Sequence, residues 1–165
     1  MAKAKVTYLN LKTLRFANNS PHPDPSYEHG TDSGFDIRAW ITDEEGHAST
    51  IVLKPLERAL IHTGLYCEVP EYTEIQVRPR SGMALKRGLT VLNTPGTVDE
   101  GYRAEICVIA VNISNEDITI EDGERIAQGV ICPVFRGSVI RMERVDEICK
   151  ETDRGENGFG STGRN

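Results

Sequence analysis

The sequence predicts an all-β protein: a jelly-roll β-sandwich or barrel with one short helix and a flexible Gly-rich C-terminal arm. Apolar and polar residues alternate in many short stretches, which is the pattern of half-buried strands. Prolines interrupt these stretches at short intervals and leave little room for long helices; they are Pro55, Pro70, Pro79, Pro95 and Pro133. Many short strands within 165 residues favour a sandwich, jelly roll or barrel.

The first elements follow from composition and alternation. Residues 18–33 are rich in Pro, Asn, Asp, Ser and Gly, which predicts an irregular surface loop. Strand signals then run from Phe35 to about Val145. They include Leu65, Cys67 and Val69 in alternation and, further on, Ile75 and Val77. Residues 80–87 are the best candidate for the single short helix.

The later elements include two predicted hairpin turns. Asp99-Glu100-Gly101 lies between apolar runs, as does Asp122-Gly123, and such turns favour hairpins. Apolar residues at alternate positions predict a strand after the first turn: Ala104, Ile106, Val108 and Ala110. Apolar residues also predict strands on both sides of the second turn: Ile118, Ile120, Ile126, Val130 and Cys132. Beyond residue 147 hydrophobic periodicity fades and glycine dominates, which predicts a mobile arm.

Composition excludes several classes of function. A net charge of −6 disfavours a broad surface for nucleic acid or for anionic membranes. The N-terminal stretch shows no signal peptide, and no later stretch is apolar enough to span a bilayer. Four cysteines without C-x-x-C pairing predict reduced thiols and a cytoplasmic protein. His22, His29, His47 and His62 show no metal-ligand spacing and are expected on loops or the surface.

One stretch predicts an anion site where a strand ends. Residues 76–82 read Gln-Val-Arg-Pro-Arg-Ser-Gly, and Pro79 ends regular pairing there. Arg80, the Ser81 hydroxyl and the backbone N–H of Gly82 together suit a phosphate or another oxyanion. The alternative is a surface strand with two solvated arginines and a turn.

Residues 96–103 read Gly-Thr-Val-Asp-Glu-Gly-Tyr-Arg. Asp99 is either an ordinary turn residue or a general base held at the mouth of a pocket. In the second interpretation Tyr102 supplies an aromatic wall, and the amide of Asn93 reads a base edge.

Two further polar residues interrupt apolar strands. Asp36 stands between Phe35 and Ile37, where it either caps the preceding loop or holds the water shell of Mg²⁺. Gln128 lies among apolar residues and needs a hydrogen-bond partner, either internal or on a ligand.

The tail combines Gly-x-Gly-x-x-Gly spacing at residues 158–163 with a cation and two hydroxyls. A dinucleotide-binding loop needs a following helix, but only Arg164 and Asn165 follow here. Arg154, Ser161 and Thr162 suit a polyphosphate, and Phe159 could stack on a base. The alternative is a disordered Gly-rich terminus.

Five stretches, in order, resemble the motifs of the trimeric dUTPases. They are Gly-Phe-Asp-Ile, Pro-Arg-Ser-Gly, Gly-Thr-Val-Asp-Glu-Gly-Tyr-Arg, Gly-Glu-Arg-Ile-Ala-Gln and Arg-Gly-Glu-Asn-Gly-Phe-Gly-Ser-Thr-Gly. The similarity runs from about Phe35 to Gly163, most of the chain. The resemblance implies a jelly-roll homotrimer that hydrolyses dUTP to dUMP and pyrophosphate with Mg²⁺. That reaction keeps uracil out of DNA and supplies dUMP for thymidylate synthesis.

The resemblance also implies an assembly: a domain at residues 1–147 and an arm at 148–165 that closes over the active site of a neighbouring subunit. It assigns a role to each matching residue. Asp99 activates the attacking water, and Asp36 orients a metal-bound water. The substrate contacts fall into three groups: Arg80, Ser81, Gly82 and Gln128 for phosphates; Asn93, Thr97, Val98, Tyr102 and Cys107 for base and sugar; Arg154, Phe159, Gly160, Ser161 and Thr162 on the arm.

Two other hypotheses for the function are considered. The dCTP deaminases share a similar fold and third motif, but they carry a catalytic glutamate where this chain has Ile109, which cannot transfer protons. A non-catalytic jelly-roll interaction module would be favoured by loss of Asp99 or of the arm, and both are present.

Overall fold

A computed structural model of the chain describes residues 12–156. Within them, eleven strands and one short helix form, and every strand pairing is antiparallel. The strands are β1 (Arg15–Asn18), β2 (Gly34–Arg38), β3 (Thr50–Leu53), β4 (Arg58–Ile61), β5 (Leu65–Glu68), β6 (Thr73–Pro79), β7 (Leu89–Val91), β8 (Gly96–Val98), β9 (Val108–Asn112), β10 (Ile118–Glu121) and β11 (Arg125–Pro133). The helix is α1 (Ser81–Arg87), between β6 and β7.

The strands assemble into open sheets. The largest has the order β2-β11-β6-β8, a second has β4-β9-β7, and two smaller ladders pair β1 with β5 and β10 with β3. No sheet closes on itself within residues 12–156. The prediction of an all-β fold with one short helix is therefore confirmed, with open sheets and no closed barrel among the described residues.

Alternation along the strands places the core as the sequence predicts. In β6, Ile75 and Val77 are almost fully buried, while the alternating Gln76 and Arg78 are half-buried and hydrogen-bonded to each other. Apolar residues from β2 to β11 join in one buried cluster. Burial of these apolar side chains is the main force that holds the sheets together.

The predicted helix is confirmed at residues 81–87. Pro79 ends β6, and Arg80 takes the N-cap position with extended backbone angles. The helix buries only Met83, and it ends at Gly88, whose φ of 70° is left-handed and suits glycine. Lys86 and Arg87 in its last turn complement the negative end of the helix dipole.

Both hairpin predictions are wrong, although both turns form. Glu124 N–H donates to the carbonyl of Glu121, and Tyr102 N–H donates to that of Asp99. The strands on either side nevertheless pair elsewhere: β10 with β3, β11 with β2 and β6, β8 with β6, and β9 with β4 and β7. A short turn makes the chain reverse direction, but it does not determine which strands pair. The pairing depends on which arrangement of strands buries their apolar faces. Ala104 is exposed and precedes β9, so it does not share that strand's face.

The predicted loop contains no strand or helix from residue 19 to residue 33, and one end of it is fixed by side chains. His22 Nε2 lies 2.9 Å from Asp122 Oδ1, and the same oxygen accepts the N–H of Ile41. The ring of His22 also packs on Gly123, where a Cβ would approach it to 3.0 Å.

Contacts divide the chain into two compact units, with the boundary after Val134. In the second unit, residues 135–156 contain turns and bends but neither strand nor helix. An ion pair joins Lys150 and Glu156 there, at 3.0 Å. Among the described residues no helix has the length and apolar character needed to cross a bilayer.

Candidate active site

Asp36 is held by two arginines. It lies in the middle of β2, opposite Gln128 of β11, and its side chain remains 34% exposed. Arg80 Nε lies 2.7 Å from Asp36 Oδ1, and Arg125 Nη1 lies 3.2 Å from Oδ2. Each carboxylate oxygen thus meets one guanidinium, which fixes its orientation and neutralises its charge.

The backbone beyond Pro79 is open to solvent. Ser81 and Gly82 begin α1, and both are exposed. A Cβ added to Gly82 would meet nothing within 4 Å, so no side chain screens the backbone at this point. Arg80 donates to the carbonyl of Arg125 as well as to Asp36. These bonds use two of its five N–H donors, so further donors can serve an anion.

Gln128 has the internal partner that its apolar surroundings require. Its Nε2 donates to the carbonyl of Pro79 at 3.0 Å. Its Oε1 points toward Gly34, where an added Cβ would approach it to 2.8 Å. The amide is therefore fixed beside both Asp36 and the start of α1.

These residues line one cavity of about 510 Å³. Its walls include Asp36, Arg80, Ser81, Gly82 and Gln128, all of which the sequence predicts to bind metal or phosphate. Met83, Lys86 and Arg87 complete the wall, and Arg87 also pairs with Glu124. Cations, a hydroxyl and open backbone in one concave surface suit a polyanion. A second cavity, of about 330 Å³, is also lined by Asp36 and Gln128 and includes Arg38 and Arg125.

A second group of predicted residues lies around β8. Asp99 follows the strand directly and is exposed, as is Thr97, whereas Val98 is buried. Asn93 packs against Gly96, where an added Cβ would lie 3.1 Å from its Nδ2. Tyr102 is 42% exposed, and its hydroxyl donates to the carbonyl of Glu105 at 2.9 Å.

The two groups do not meet within one chain. Val98 pairs with Ile75 and Gly96 with Val77, so Asp99 is level with residue 74 while Arg80 follows the opposite end of β6. Six residues of extended chain span about 20 Å. A base acts only within hydrogen-bond reach of the water that it deprotonates. Asp99 and Arg80 of the same chain therefore cannot serve one phosphate together.

Cys107 lies in a polar cluster rather than on a hairpin arm with Thr97 and Val98. Glu105 Oε1 accepts the backbone N–H groups of Thr63 and Gly64, and its Oε2 lies 2.8 Å from His62 Nδ1. Cys107 Sγ lies 3.8 Å from that same nitrogen. The sequence predicts that Cys107 contacts base and sugar, and the structure adds a side-chain environment that the sequence did not indicate.

This cluster shifts two pKa values. Burial acts to raise the pKa of the Glu105 carboxyl, but the hydrogen bonds from His62, Gly64 and Thr63 and the charge of His62 lower it overall. Burial is also the main cause of a raised pKa for the Cys107 thiol, followed by the charge of Glu105 and a hydrogen bond to it.

The predicted arm residues are only partly described. Arg154 is exposed and lies in the second unit. Phe159, Gly160, Ser161 and Thr162 lie outside the described residues.

The sequence did not predict a role for several residues near these sites. Arg125 is part of a quoted motif, yet nothing in the motif shows that it pairs with Asp36. Lys86 and Arg87 are basic residues of a helix end that turn out to line the cavity. His62 and Glu105 are separated by 43 positions, so no local spacing could reveal their contact.

Comparison with known proteins identifies the family. The dUTPase family model matches residues 20–163, and this chain belongs to the dUTPase family. A deoxyuridine 5'-triphosphate nucleotidohydrolase from Clostridium novyi is 52% identical over 93% of this chain and 99% of its own length. Another, from Cytophaga hutchinsonii, is 46% identical over 94% of this chain and 95% of its own length.

Solved structures agree with this assignment. A dUTPase of Staphylococcus bacteriophage 80alpha, solved with dUpNHpp, aligns with a TM-score of 0.76 at 29% identity. A mutant of that enzyme, also with dUpNHpp, aligns with a TM-score of 0.75 at 30% identity. Each alignment covers 92% of this chain and 98% of the phage chain.

Proposed function

We propose that this protein hydrolyses dUTP to dUMP and pyrophosphate, as a dUTP diphosphatase. The observation that carries the proposal is the cavity of about 510 Å³ in which Asp36, Arg80, Ser81, Gly82 and Gln128 converge. The names of the relatives and the dUpNHpp bound to the phage enzyme support the same substrate. Hydrolysis would limit uracil incorporation into DNA and supply dUMP for thymidylate synthesis, and we expect it to take place in the cytoplasm.

Phosphates would bind at the start of α1. Arg80 supplies charge and directed donors, Ser81 a hydroxyl, and Gly82 an unscreened backbone N–H. Gln128, fixed by the carbonyl of Pro79, would donate its second amide hydrogen to a phosphate oxygen. These groups hold the chain of phosphates and orient the α-phosphorus for attack.

Asp99 would act as the general base. It accepts a proton from a water molecule, whose oxygen forms a bond to the α-phosphorus while the bond to the oxygen bridging to the β-phosphate breaks. Pyrophosphate leaves with the electron pair of that bond. Asp99 directly follows β8 and is exposed, so a water molecule can reach its carboxylate.

Base and sugar would be recognised around β8. Asn93 offers a donor and an acceptor on one amide, and the backbone of Thr97, Val98 and Cys107 offers the same pair of groups to uracil. Tyr102 is anchored through its hydroxyl to the carbonyl of Glu105, so its ring is held in place. A ring fixed against deoxyribose leaves no space for a 2′-hydroxyl.

The residues fit Mg²⁺ held through water. Mg²⁺ commonly keeps several waters and uses few carboxylates together with substrate phosphates. Asp36 is one partly exposed carboxylate beside the phosphate cavity, and Arg80 and Arg125 already occupy its oxygens. A contact through water leaves both arginine pairs intact. When bound, the ion would neutralise phosphate charge and orient the oxygens.

A homotrimer with shared sites reconciles the two groups of residues. Since Asp99 and Arg80 lie about 20 Å apart in one chain, the base of one subunit would serve phosphates held by another. The sheet β4-β9-β7 offers an apolar surface for association. Leu60 is 55% exposed and pairs with Ile109, and Leu92, bonded to the carbonyl of Ile109, is 50% exposed.

The arm would complete each site. By the resemblance, Phe159 stacks on uracil, Arg154 meets the terminal phosphate, and Gly160, Ser161 and Thr162 hold the other phosphates. We assign residues 1–147 to the catalytic domain and residues 148–165 to this arm, which would close over the site of a neighbouring subunit. Closure would exclude water other than the nucleophile.

Deamination of dCTP is disfavoured by the residue at position 109. Ile109 lies in β9 opposite Leu60 and has no group that transfers protons. No other described feature supports a deaminase.

The experiment that tests the proposal is pyrophosphate release from dUTP, UTP, dCTP and dTTP, with Mg²⁺ and with EDTA. We expect rapid release from dUTP alone and loss of release in EDTA. A folded protein that releases pyrophosphate from none of them would contradict the proposal and favour a non-catalytic interaction module. Equal release from UTP would contradict the role of Tyr102.

A further inference from the structure

The side chains of His62, Glu105 and Cys107 converge on one point at the protein surface. Their ligand atoms all lie within 4.8 Å of one another. His62 Nδ1 is the shared neighbour, 2.8 Å from Glu105 Oε2 and 3.8 Å from Cys107 Sγ. The three residues come from two segments that a bond from Ile106 N–H to the carbonyl of Leu65 holds side by side.

These separations are close to those of a tetrahedral zinc site. Ordinary Zn–N, Zn–O and Zn–S bond lengths place nitrogen and oxygen ligands about 3.4 Å apart, and nitrogen and sulfur ligands about 3.6 Å apart. The first pair would have to open by roughly half an ångström and the second to close by less than that. The side chain of His62 is 60% exposed, so rotation of its ring can supply the adjustment.

The donor set selects the metal. A thiolate and an imidazole disfavour Mg²⁺ and Ca²⁺, which prefer oxygen, and they suit Zn²⁺. One nitrogen, one oxygen and one sulfur leave a fourth position for water, as in open zinc sites. Asp36, the proposed Mg²⁺ residue, belongs to a different cluster of partners.

The cluster already has an outer shell that orients one ligand. Glu105 Oε1 accepts the N–H groups of Thr63 at 2.9 Å and Gly64 at 2.8 Å, so Oε2 is turned toward His62. Outer-shell bonds of this kind fix ligand geometry and strengthen metal binding. We propose that His62, Glu105 and Cys107 bind one Zn²⁺ ion per chain.

A second group provides a matched control. Asp43, Glu45 and His47 also bring three ligand atoms together, but all three are exposed and none is a thiol. Asp43 Oδ1 is occupied by the N–H groups of Glu45 and His47, as is usual in a turn. Removal of His47 therefore alters a similar surface histidine without touching the proposed site.

The test is titration of the full chain with Zn²⁺ by calorimetry, near neutral pH with a non-thiol reductant and excess Mg²⁺. The variants are Cys107→Ser and His62→Gln, with His47→Gln and Cys149→Ser as controls. Circular dichroism in EDTA verifies folding. Titration with Co²⁺ adds a spectroscopic signature, because a bound thiolate gives a charge-transfer band in the near ultraviolet.

We expect one Zn²⁺ per chain, with Kd at least about tenfold higher in Cys107→Ser and in His62→Gln and unchanged in both controls. The cobalt charge-transfer band should disappear in Cys107→Ser. Absence of binding by the wild-type chain, unchanged affinity in Cys107→Ser, or competition by Mg²⁺ would overturn the proposal. Because the readout is metal binding, it does not depend on hydrolysis of dUTP.

Discussion

Asp99 is an exposed carboxylate directly after a paired strand, and this position lets it accept a proton from water. The Tyr102 N–H bonds to its backbone carbonyl, so the turn does not depend on its side chain. Asp99→Asn should therefore leave the fold and dUTP binding intact while turnover falls about 10²- to 10⁴-fold. The measurements are steady-state hydrolysis and calorimetric binding of dUpNHpp.

The turn supplies a matched control in Glu100. Its carboxylate accepts the N–H of Tyr72, so Glu100→Gln keeps an acceptor for that bond and should retain most turnover. Near wild-type turnover in Asp99→Asn would remove Asp99 as the base. An equal loss in Glu100→Gln would point to damage of the turn instead.

Burial of the Cys67 thiol makes folding stability depend on pH. Its side chain is almost fully buried in β5, and this burial raises the thiol pKa from 9.0 to about 11. In the unfolded chain the thiol ionises near its ordinary pKa, so ionisation pulls the equilibrium toward unfolding. The contribution to stability is complete below about pH 9 and is lost as pH rises toward 11.

We expect this residue to cost about 1.4 kcal/mol of unfolding free energy on moving from neutral pH to about pH 10. Urea unfolding of the wild type and of Cys67→Ala at both pH values isolates it, since other groups titrate equally in both. Cys149→Ala should behave like the wild type because Cys149 is exposed. An identical fall in Cys67→Ala and the wild type would contradict this explanation.

Two glycines at the ends of α1 have opposite requirements: Gly82 lies in its first turn, and Gly88 directly follows its last residue. Gly82 has open space around it, and its φ is not left-handed, so Gly82→Ala should stabilise the helix by about 0.5–1 kcal/mol. The added methyl group would project where we place the phosphates, so KM for dUTP should rise. Thermal unfolding and steady-state kinetics measure the two effects.

Gly88→Ala, at the C-terminal cap of the same helix, is the control. The φ of Gly88 is +70°, and an added Cβ would lie 2.8 Å from the Cβ of Ser114. This variant should lose at least about 1 kcal/mol of stability through backbone strain. If Gly82→Ala gained stability and kept its KM, the start of α1 would not bind phosphate.

The proposed closure of each arm over the site of a neighbouring subunit predicts complementation between the subunits of the trimer. A chain truncated after Asp153 lacks the proposed arm, and Asp99→Asn lacks the base, so each alone should hydrolyse dUTP poorly. Co-expressed, they should form mixed trimers in which some sites combine an intact Asp99 with an arm from another subunit. Turnover should then recover in part, measured on trimers purified with two affinity tags.

A control pair tests whether turnover recovers because base and arm combine in one site, or only because the full-length chain stabilises the truncated one. Full-length Asp99→Asn co-expressed with a truncated chain that also carries Asp99→Asn has arms but no base, and it should stay inactive. Mixed trimers of the test pair that also stay inactive would show that base and arm come from the same chain. A monomeric wild type would refute the shared site altogether.

The sequence by itself determined the local features. Alternation placed Ile75 and Val77 in the core, and Pro79 with Gly88 bounded the helix, because burial of strand faces and backbone restrictions act within a few residues. The order of five short motifs indicated the family, which the comparisons then showed over residues 20–163.

Which segments meet became visible in the folded chain alone. Asp122-Gly123 and Asp99-Glu100-Gly101 turn as predicted, yet the strands that they join pair in other sheets. The pairing of Arg125 with Asp36 and the convergence of His62, Glu105 and Cys107 join residues distant in sequence. The physical reason is that turn chemistry acts locally, whereas strand partners are chosen by the burial of the whole core, for which no local pattern exists.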